Sequence, residues 1–303
     1  MILYRCGQDR WETLCGGDPV VGERGALSAG EEPGPGASTR RTEGAHTALI
    51  DRTSGVGNDR VGAWMAEAMS RRQQVFYKHA EAGPAARRRL AVLLGSDVLD
   101  SERVVLIDAA RCHADTGGEP AALRAWHRAL IEQACRAGHR GAAIVCDGAA
   151  LHTITPDPAA MLTHERDLTE LAATNPLTVL CRYDISVETA PVLHRLIGLH
   201  TALEDITFAA RRDPGALTVS GEIDISNAAR LGAVLRAAIE EGIRIVDLGE
   251  LRLLGAAGAH VLLEALPLLR AGQTLTLHRP HDLVRQILDI TGLGRHENVV
   301  VSE

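Results

Sequence analysis

The chain has 303 residues, enough for two ordinary domains and a tail, and 46% of them are hydrophobic against only 3% aromatic, so its cores must be aliphatic. A formal charge of -7 argues against a general nucleic-acid binder, whose footprint is basic. No run approaches the roughly 18 apolar residues of a membrane span. The start, Met1-Ile2-Leu3-Tyr4-Arg5, is followed at once by Gln8-Asp9-Arg10 and lacks the apolar core of a signal peptide, so a cytoplasmic location is expected.

Residues 1–59 carry eleven Gly and three Pro with no period of 2 or 3.6, and are expected to be a disordered tail. Within it, Trp11, Leu14 and Cys15 form a small cluster that chance explains best. From residue 60 the texture changes. The patterns predict a helix over 61–72, a strand over 74–77, a helix over 84–94 ended by Gly95, and a strand over 103–108. The run Arg87-Arg88-Arg89 reads as the solvated face of that second helix. A helix over 120–137, a strand over 142–147, a helix over 158–174 and a strand over 177–184 follow, and a helix over 187–203 closes the unit. Strands apolar throughout, alternating with helices, imply a parallel sheet covered on both faces. This first domain is set at 60–198.

A second α/β unit is set at 205–303. It is predicted to hold strands at 206–210 and 216–223 joined by the turn Asp213-Pro214-Gly215, and a helix over 226–240. A strand over 243–248, a helix over 256–270, a strand over 274–277, a helix over 280–291 and an edge strand over 299–301 complete it.

Lys78 is the only lysine, so no Gly-Lys-Ser/Thr phosphate loop can exist, and a Schiff-base or carbamate lysine would have to be Lys78. The six cysteines form no Cys-x-x-Cys pair and read as reduced thiols. His164, His194 and His200 lack a metal-ligand spacing, and His278-x-x-His281 and Cys112-His113 are equally weak, so no metal and no cofactor are expected. Glu165, with Asp184 or Asp147, could form an acid/base pair, contact a ligand, or simply bond backbone or an arginine such as Arg140. The turn Gly255-Ala256-Ala257-Gly258 allows close approach at a helix start, for tight packing on the sheet or for a partner.

Residues 205–303 resemble the STAS domain (sulphate transporter and anti-sigma-factor antagonist). The resemblance is carried by Leu217-Thr218-Val219-Ser220-Gly221-Glu222-Ile223-Asp224-Ile225, by Ile245-Val246-Asp247-Leu248, by the 255–258 turn and by Leu288-Asp289-Ile290-Thr291-Gly292-Leu293. It implies a partner-binding surface at Asp224, Ser226, Asn227, Gly255, Ala256, Ala257, Gly258 and Leu262. The partner implied is a histidine-kinase-like anti-sigma factor. Where such antagonists read Asp-Ser-Ser/Thr-Gly, Ala256 stands at the phosphoacceptor and has no hydroxyl to receive a phosphoryl group. Ser226, expected at a helix N-cap, and Thr291, near a C-cap, read as structural.

The first unit resembles the MEDS domain, a sensory module of methanogen and methylotroph regulators related to RecA-like ATPases. The resemblance rests on Phe76-Tyr77, on Arg140-Gly141-Ala142-Ala143-Ile144, on Met161-Leu162-Thr163-His164-Glu165-Arg166-Asp167-Leu168, and on Leu180-Cys181-Arg182-Tyr183-Asp184. It implies a small-molecule ligand, for which Tyr77, Glu165, Tyr183 and Asp184 are the candidate sensing residues. The expected fold class is therefore α/β, an N-terminal RecA-like three-layer parallel-sheet domain plus a C-terminal STAS-like α/β domain. The expected function is non-enzymatic signalling. A degenerate RecA-like nucleotide-binding or hydrolytic enzyme, although no Gly-x-Ser-x-Gly elbow is present, and a purely scaffolding protein remain the alternatives.

Overall fold

The structure, a computed structural model, describes residues 44–51, 56–186 and 189–303. Ten of its strands run parallel to one another within one sheet, and the eleventh runs against them. The strands of the first half are β1 (His46–Asp51), β2 (Gln73–His79), β3 (Val104–Asp108), β4 (Gly141–Asp147) and β5 (Leu177–Asp184). Every residue of β1 and β2 is buried, as expected for strands covered on both faces.

Three helices cover one face, α1 (Val56–Ser70), α2 (Gly83–Leu94) and α3 (Ser96–Asp100). Trp64, Met65, Leu90 and Leu99 pack there on Leu49, Val75, Val145 and Leu180. The other face carries α4 (Ala109–Thr116), α5 (Pro120–Arg136), α6 (Gly148–Ile154), α7 (Pro158–Thr174) and α8 (Ala190–Leu199). Asp108, Asp147 and Asp157 accept backbone N–H groups at the starts of α4, α6 and α7, each worth about 1 kcal/mol.

The second half adds β6 (Ala202–Glu204), β7 (Phe208–Asp213), β8 (Ala216–Ile223), α9 (Ala228–Glu240), β9 (Ile245–Leu254), α10 (Ala256–Ala265), β10 (Leu275–His278), α11 (Asp282–Ile290) and β11 (Val299–Ser302). Its helices share the face of α5, α7 and α8, and one apolar core runs beneath all of them. Burial along β8 and β10 alternates, so the opposite face of this half is open to solvent. There Arg279 pairs with Asp247 at 2.5 Å. The strand order is β11-β10-β9-β8-β7-β6-β1-β5-β4-β2-β3. Three-residue β6 is the seam, parallel to β1 on one side and antiparallel to β7 on the other.

The three-layer parallel arrangement and the smaller α/β unit agree with the expected fold class. The domain boundaries need correction. His46–Asp51, placed in a disordered tail by its Gly-rich flanks, is a central strand, and α1 begins at Val56. Trp11, Leu14 and Cys15 lie outside the described residues. The helix expected over 187–203 ends at Leu199, because the chain turns extended at His200 to enter β6. The helix expected over 256–270 ends at Ala265 and tightens into a 3-10 turn carrying Pro267. The strand expected to stop at Leu248 runs on to Leu254, with register shifts against β8 where Gly221, at φ +89°, passes so close to Thr207 that no Cβ would fit.

Candidate functional site: a buried polar cluster and an exposed helix start

Successive residues of a strand face opposite sides, so His46 on β1 and Cys181 and Tyr183 on β5 all point to the face covered by α7 and α8. Helix α7 lowers Glu165 onto them, and His200 reaches in from the residue after α8. Glu165 Oε2 lies 3.3 Å from His46 Nε2, 3.3 Å from His200 Nε2, 3.5 Å from Cys181 Sγ and 3.2 Å from Tyr183 Oη. His46 Nε2 is also 3.3 Å from Cys181 Sγ, and Tyr183 Oη is 3.4 Å from His200 Nε2. All five side chains are 1% exposed or less.

The surrounding bonds assign the protons. His200 Nδ1 donates to the Leu196 carbonyl at 2.8 Å. Thr169 gives its hydroxyl proton to the Leu199 carbonyl at 2.7 Å, so it accepts from His46 Nδ1 at 2.8 Å. Both rings therefore turn Nε2 toward the same carboxylate oxygen. Burial, with His200 and Arg212 adding to it, pushes His46 down to about 4. Burial alone would raise Glu165, yet the His200 and His46 rings against it draw it well below the usual carboxylate range. These two directions conflict, since a neutral His46 supplies no positive charge to hold Glu165 ionised. We take His46 as neutral, because complete burial opposes its charging directly.

A second group lies on the same face. Lys78, fully buried, donates to His127 Nε2 at 2.6 Å, while His127 Nδ1 donates to the Leu123 carbonyl at 2.6 Å. Trp126 places its ring 5.3 Å from the ammonium. His164 stacks on His127 at 5.2 Å, and neither of its ring nitrogens has a hydrogen-bond partner. Burial, with Lys78 adding to it, pushes His164 down to about 3. The sole lysine is thus sealed in the core.

Of the four expected sensing residues, the structure joins Glu165 to Tyr183 and separates the other two. Tyr77 faces the α1–α3 side, where Arg89 donates to its hydroxyl at 2.5 Å and burial pushes the phenol up. Arg89 also meets Asp147 at 3.4 Å and Glu81 at 2.6 Å, and Arg182 clamps Asp51 at 2.6 Å, a charge network at the strand C-termini. Asp184 accepts the backbone N–H and hydroxyl of Ser186. The expected acid/base pairing of Glu165 with Asp147 or Asp184, or its pairing with Arg140, gives way to the contacts with His46 and His200. His46 and His127 carry no sequence signal of a site, Lys78 only that of a lone lysine, and His200 lacks a metal-ligand spacing because its partners are remote in sequence. The strand that holds His46 is signalled by the alternation in His46-Thr47-Ala48-Leu49-Ile50, masked by the glycines around it.

In the second half, the two expected docking turns are neighbours, since Gly255 N–H donates to the Ile223 carbonyl at 2.7 Å. Ala256 is exposed at the first position of α10, with Asp224, Ile225 and Ser226 exposed beside it. Three expected docking residues are corrected to structural ones. Leu262 is 1% exposed and belongs to the core. A Cβ on Gly258 would stand 2.6 Å from both Ile223 and Leu254 side chains, so glycine is there for packing. Asn227 is buried, donating to Thr207 Oγ1 and the Glu222 carbonyl and accepting from Asp224 N–H. It is Asn227 that precedes α9, while Ser226 bonds Asp224 and is not the N-cap. Thr291 does cap α11, donating to the Ile287 carbonyl at 2.7 Å.

Among the described residues no helix is long and apolar enough to cross a membrane. A family model described as "MEthanogen/methylotroph, DcmR Sensory domain" (MEDS) matches residues 46–201, and one described as "Mlab, STAS domain" matches 206–301. Comparison with curated proteins gives no match. The first boundary coincides with β1, and the junction between the two matches holds β6. The chain belongs to the MEDS family, with its sensory domain followed by a STAS domain.

Proposed function

We propose that the chain is a non-enzymatic signalling protein whose STAS half docks a regulator of the histidine-kinase-like anti-sigma type, and whose MEDS half senses a small molecule. The observation that carries the docking half of this reading is Ala256. It stands exposed at the start of α10 beside the Asp224–Ser226 loop, offering a methyl group where the STAS resemblance sets a phosphoacceptor. Control by phosphate at that point has no chemical basis, so control passes to the sensory half. The burial of Lys78 supports a non-enzymatic role, because the only lysine has no access to a nucleotide.

A ligand-sensing role draws support from a cleft of about 340 Å³ bounded by α7, α8 and α9, and thus by both halves. Arg166, Arg195 and Arg236 line it against the single carboxylate of Glu240, and this excess of positive charge favours an acidic small molecule. The decisive experiment mixes the full chain with ATP and purified histidine-kinase-like anti-sigma factors. A stable complex with one of them and no phosphate at residue 256 is the expected result. Failure to form a complex with any of them overturns the docking reading.

A further inference from the structure

The groups around Glu165 form an arrangement that hydrogen bonding alone leaves unsatisfied. Two imidazole Nε2 atoms face Oε2 at 3.3 Å each, and Oε1 is buried with no partner. The Tyr183 hydroxyl and the Cys181 thiol point at the same oxygen as the rings, Oε2. A buried carboxylate in such company is costly unless a cation joins it.

Four of the six separations among the two Nε2 atoms, Oε2 and the Cys181 sulfur match a small tetrahedral cation. In a tetrahedral centre with metal–nitrogen and metal–oxygen bonds of about 2.0–2.2 Å and metal–sulfur bonds of about 2.3 Å, ligand atoms stand roughly 3.3–3.6 Å apart. Here the nitrogen–oxygen separations are 3.3 Å, the nitrogen–sulfur separation is 3.3 Å and the sulfur–oxygen separation is 3.5 Å. One donor atom from each of His46, Glu165, Cys181 and His200 lies within 4.8 Å of every other. The two rings are held from behind, His46 by Thr169 and His200 by Leu196, as metal-bound histidines are.

We infer that His46, Cys181, His200 and the carboxylate of Glu165 bind one zinc ion in a closed tetrahedral site. Two neutral nitrogens, one thiolate and one carboxylate suit zinc over magnesium or calcium. On binding, the Cys181 S–H bond breaks, its proton leaves to water and a sulfur–zinc bond forms, with no change of oxidation state. The charges of thiolate and carboxylate then cancel those of the ion, which makes the buried centre neutral. All four positions are filled by protein, so the ion is structural and ties β1, β5 and α7 to the residue that leads into β6. This inference is independent of the docking reading, and either can fail alone.

The full-length chain, refolded with zinc and desalted, is to be assayed for metal and then loaded with cobalt(II) as a spectroscopic probe. About one zinc per chain and a thiolate-to-cobalt charge-transfer band with tetrahedral ligand-field bands are expected. The band should vanish in Cys181→Ser while the ligand-field bands persist. Thr169→Val, which leaves all four ligands in place, should weaken zinc binding about 10- to 100-fold. Absence of stoichiometric zinc in the wild-type chain, or a cobalt spectrum lacking the thiolate band, overturns the site without reference to any variant. A band unchanged in a folded Cys181→Ser overturns the assignment of Cys181.

Discussion

Arg212, on β7 of the STAS half, donates its guanidinium to the backbone carbonyl of His200, the residue whose ring meets Glu165 in the MEDS half. It donates to the Gly198 carbonyl and to Glu241 as well, and its side chain is only 4% exposed. Burial draws its pKa down and Glu241 opposes that. One side chain thus joins the two halves at the polar cluster.

Replacing Arg212 with Met should leave the Gly198 and His200 carbonyls without this donor, at a cost of about 1–3 kcal/mol. A lower urea midpoint with an unchanged slope is the expected signature. An unchanged midpoint would mean that water replaces the guanidinium without penalty.

His127 gives a pH dependence of definite sign. Burial, then Lys78, hold its folded-state pKa well below the ordinary 6.5, so the folded protein keeps it neutral while the unfolded chain protonates it. Its contribution is complete above about pH 6.5 and is lost as pH falls below that value, by up to about 1.4 kcal/mol per pH unit. His127→Gln keeps an acceptor for Lys78 and removes this titration. Stability measured in chelator from about pH 7.5 to about pH 5.5 should fall less steeply in the variant than in the wild type.

Ala256 and Gly258 sit two residues apart on α10 yet should respond unequally. Ala256→Ser adds a hydroxyl at an exposed position and should shift stability by less than about 0.5 kcal/mol. It also supplies the missing acceptor, so mass spectrometry after incubation with a cognate kinase and ATP should find phosphate on the variant alone. Gly258→Ala forces a methyl against Ile223 and Leu254 and should cost about 1–3 kcal/mol.

Asn227 uses both ends of its amide, so two substitutions should rank in order. Asn227→Ala loses bonds to Thr207, Glu222 and Asp224 and should cost about 2 kcal/mol. Asn227→Asp sets a carboxylate against the Glu222 carbonyl and should cost more. Thermal denaturation of both variants checks the ranking, and equal costs would argue against the assigned amide orientation.

The α/β plan was legible because β4 and β5 are continuous apolar runs and α7 is bounded by Pro158 and Asn175. What stayed hidden depends on pairing at a distance. His46–Asp51 becomes a strand because β5 and β6 flank it, and nothing local distinguishes Ala202–Glu204 as one. The cluster escaped for the same reason. Glu165, Cys181 and Tyr183 lie in one stretch of sequence, but His46 and His200 meet them only once β1 has threaded beside β5 and α8 has ended. Likewise, Leu262 looked available from its helix and is buried by the sheet beneath.

The brevity of β6 bears on how this protein can be divided. A cut on either side of Ala202–Glu204 strips backbone partners from β1 or from β7, leaving a raw sheet edge of the kind that recruits other chains. Half-molecules prepared for binding studies should therefore self-associate, and weak partner capture by such pieces would reflect the wound rather than the partner.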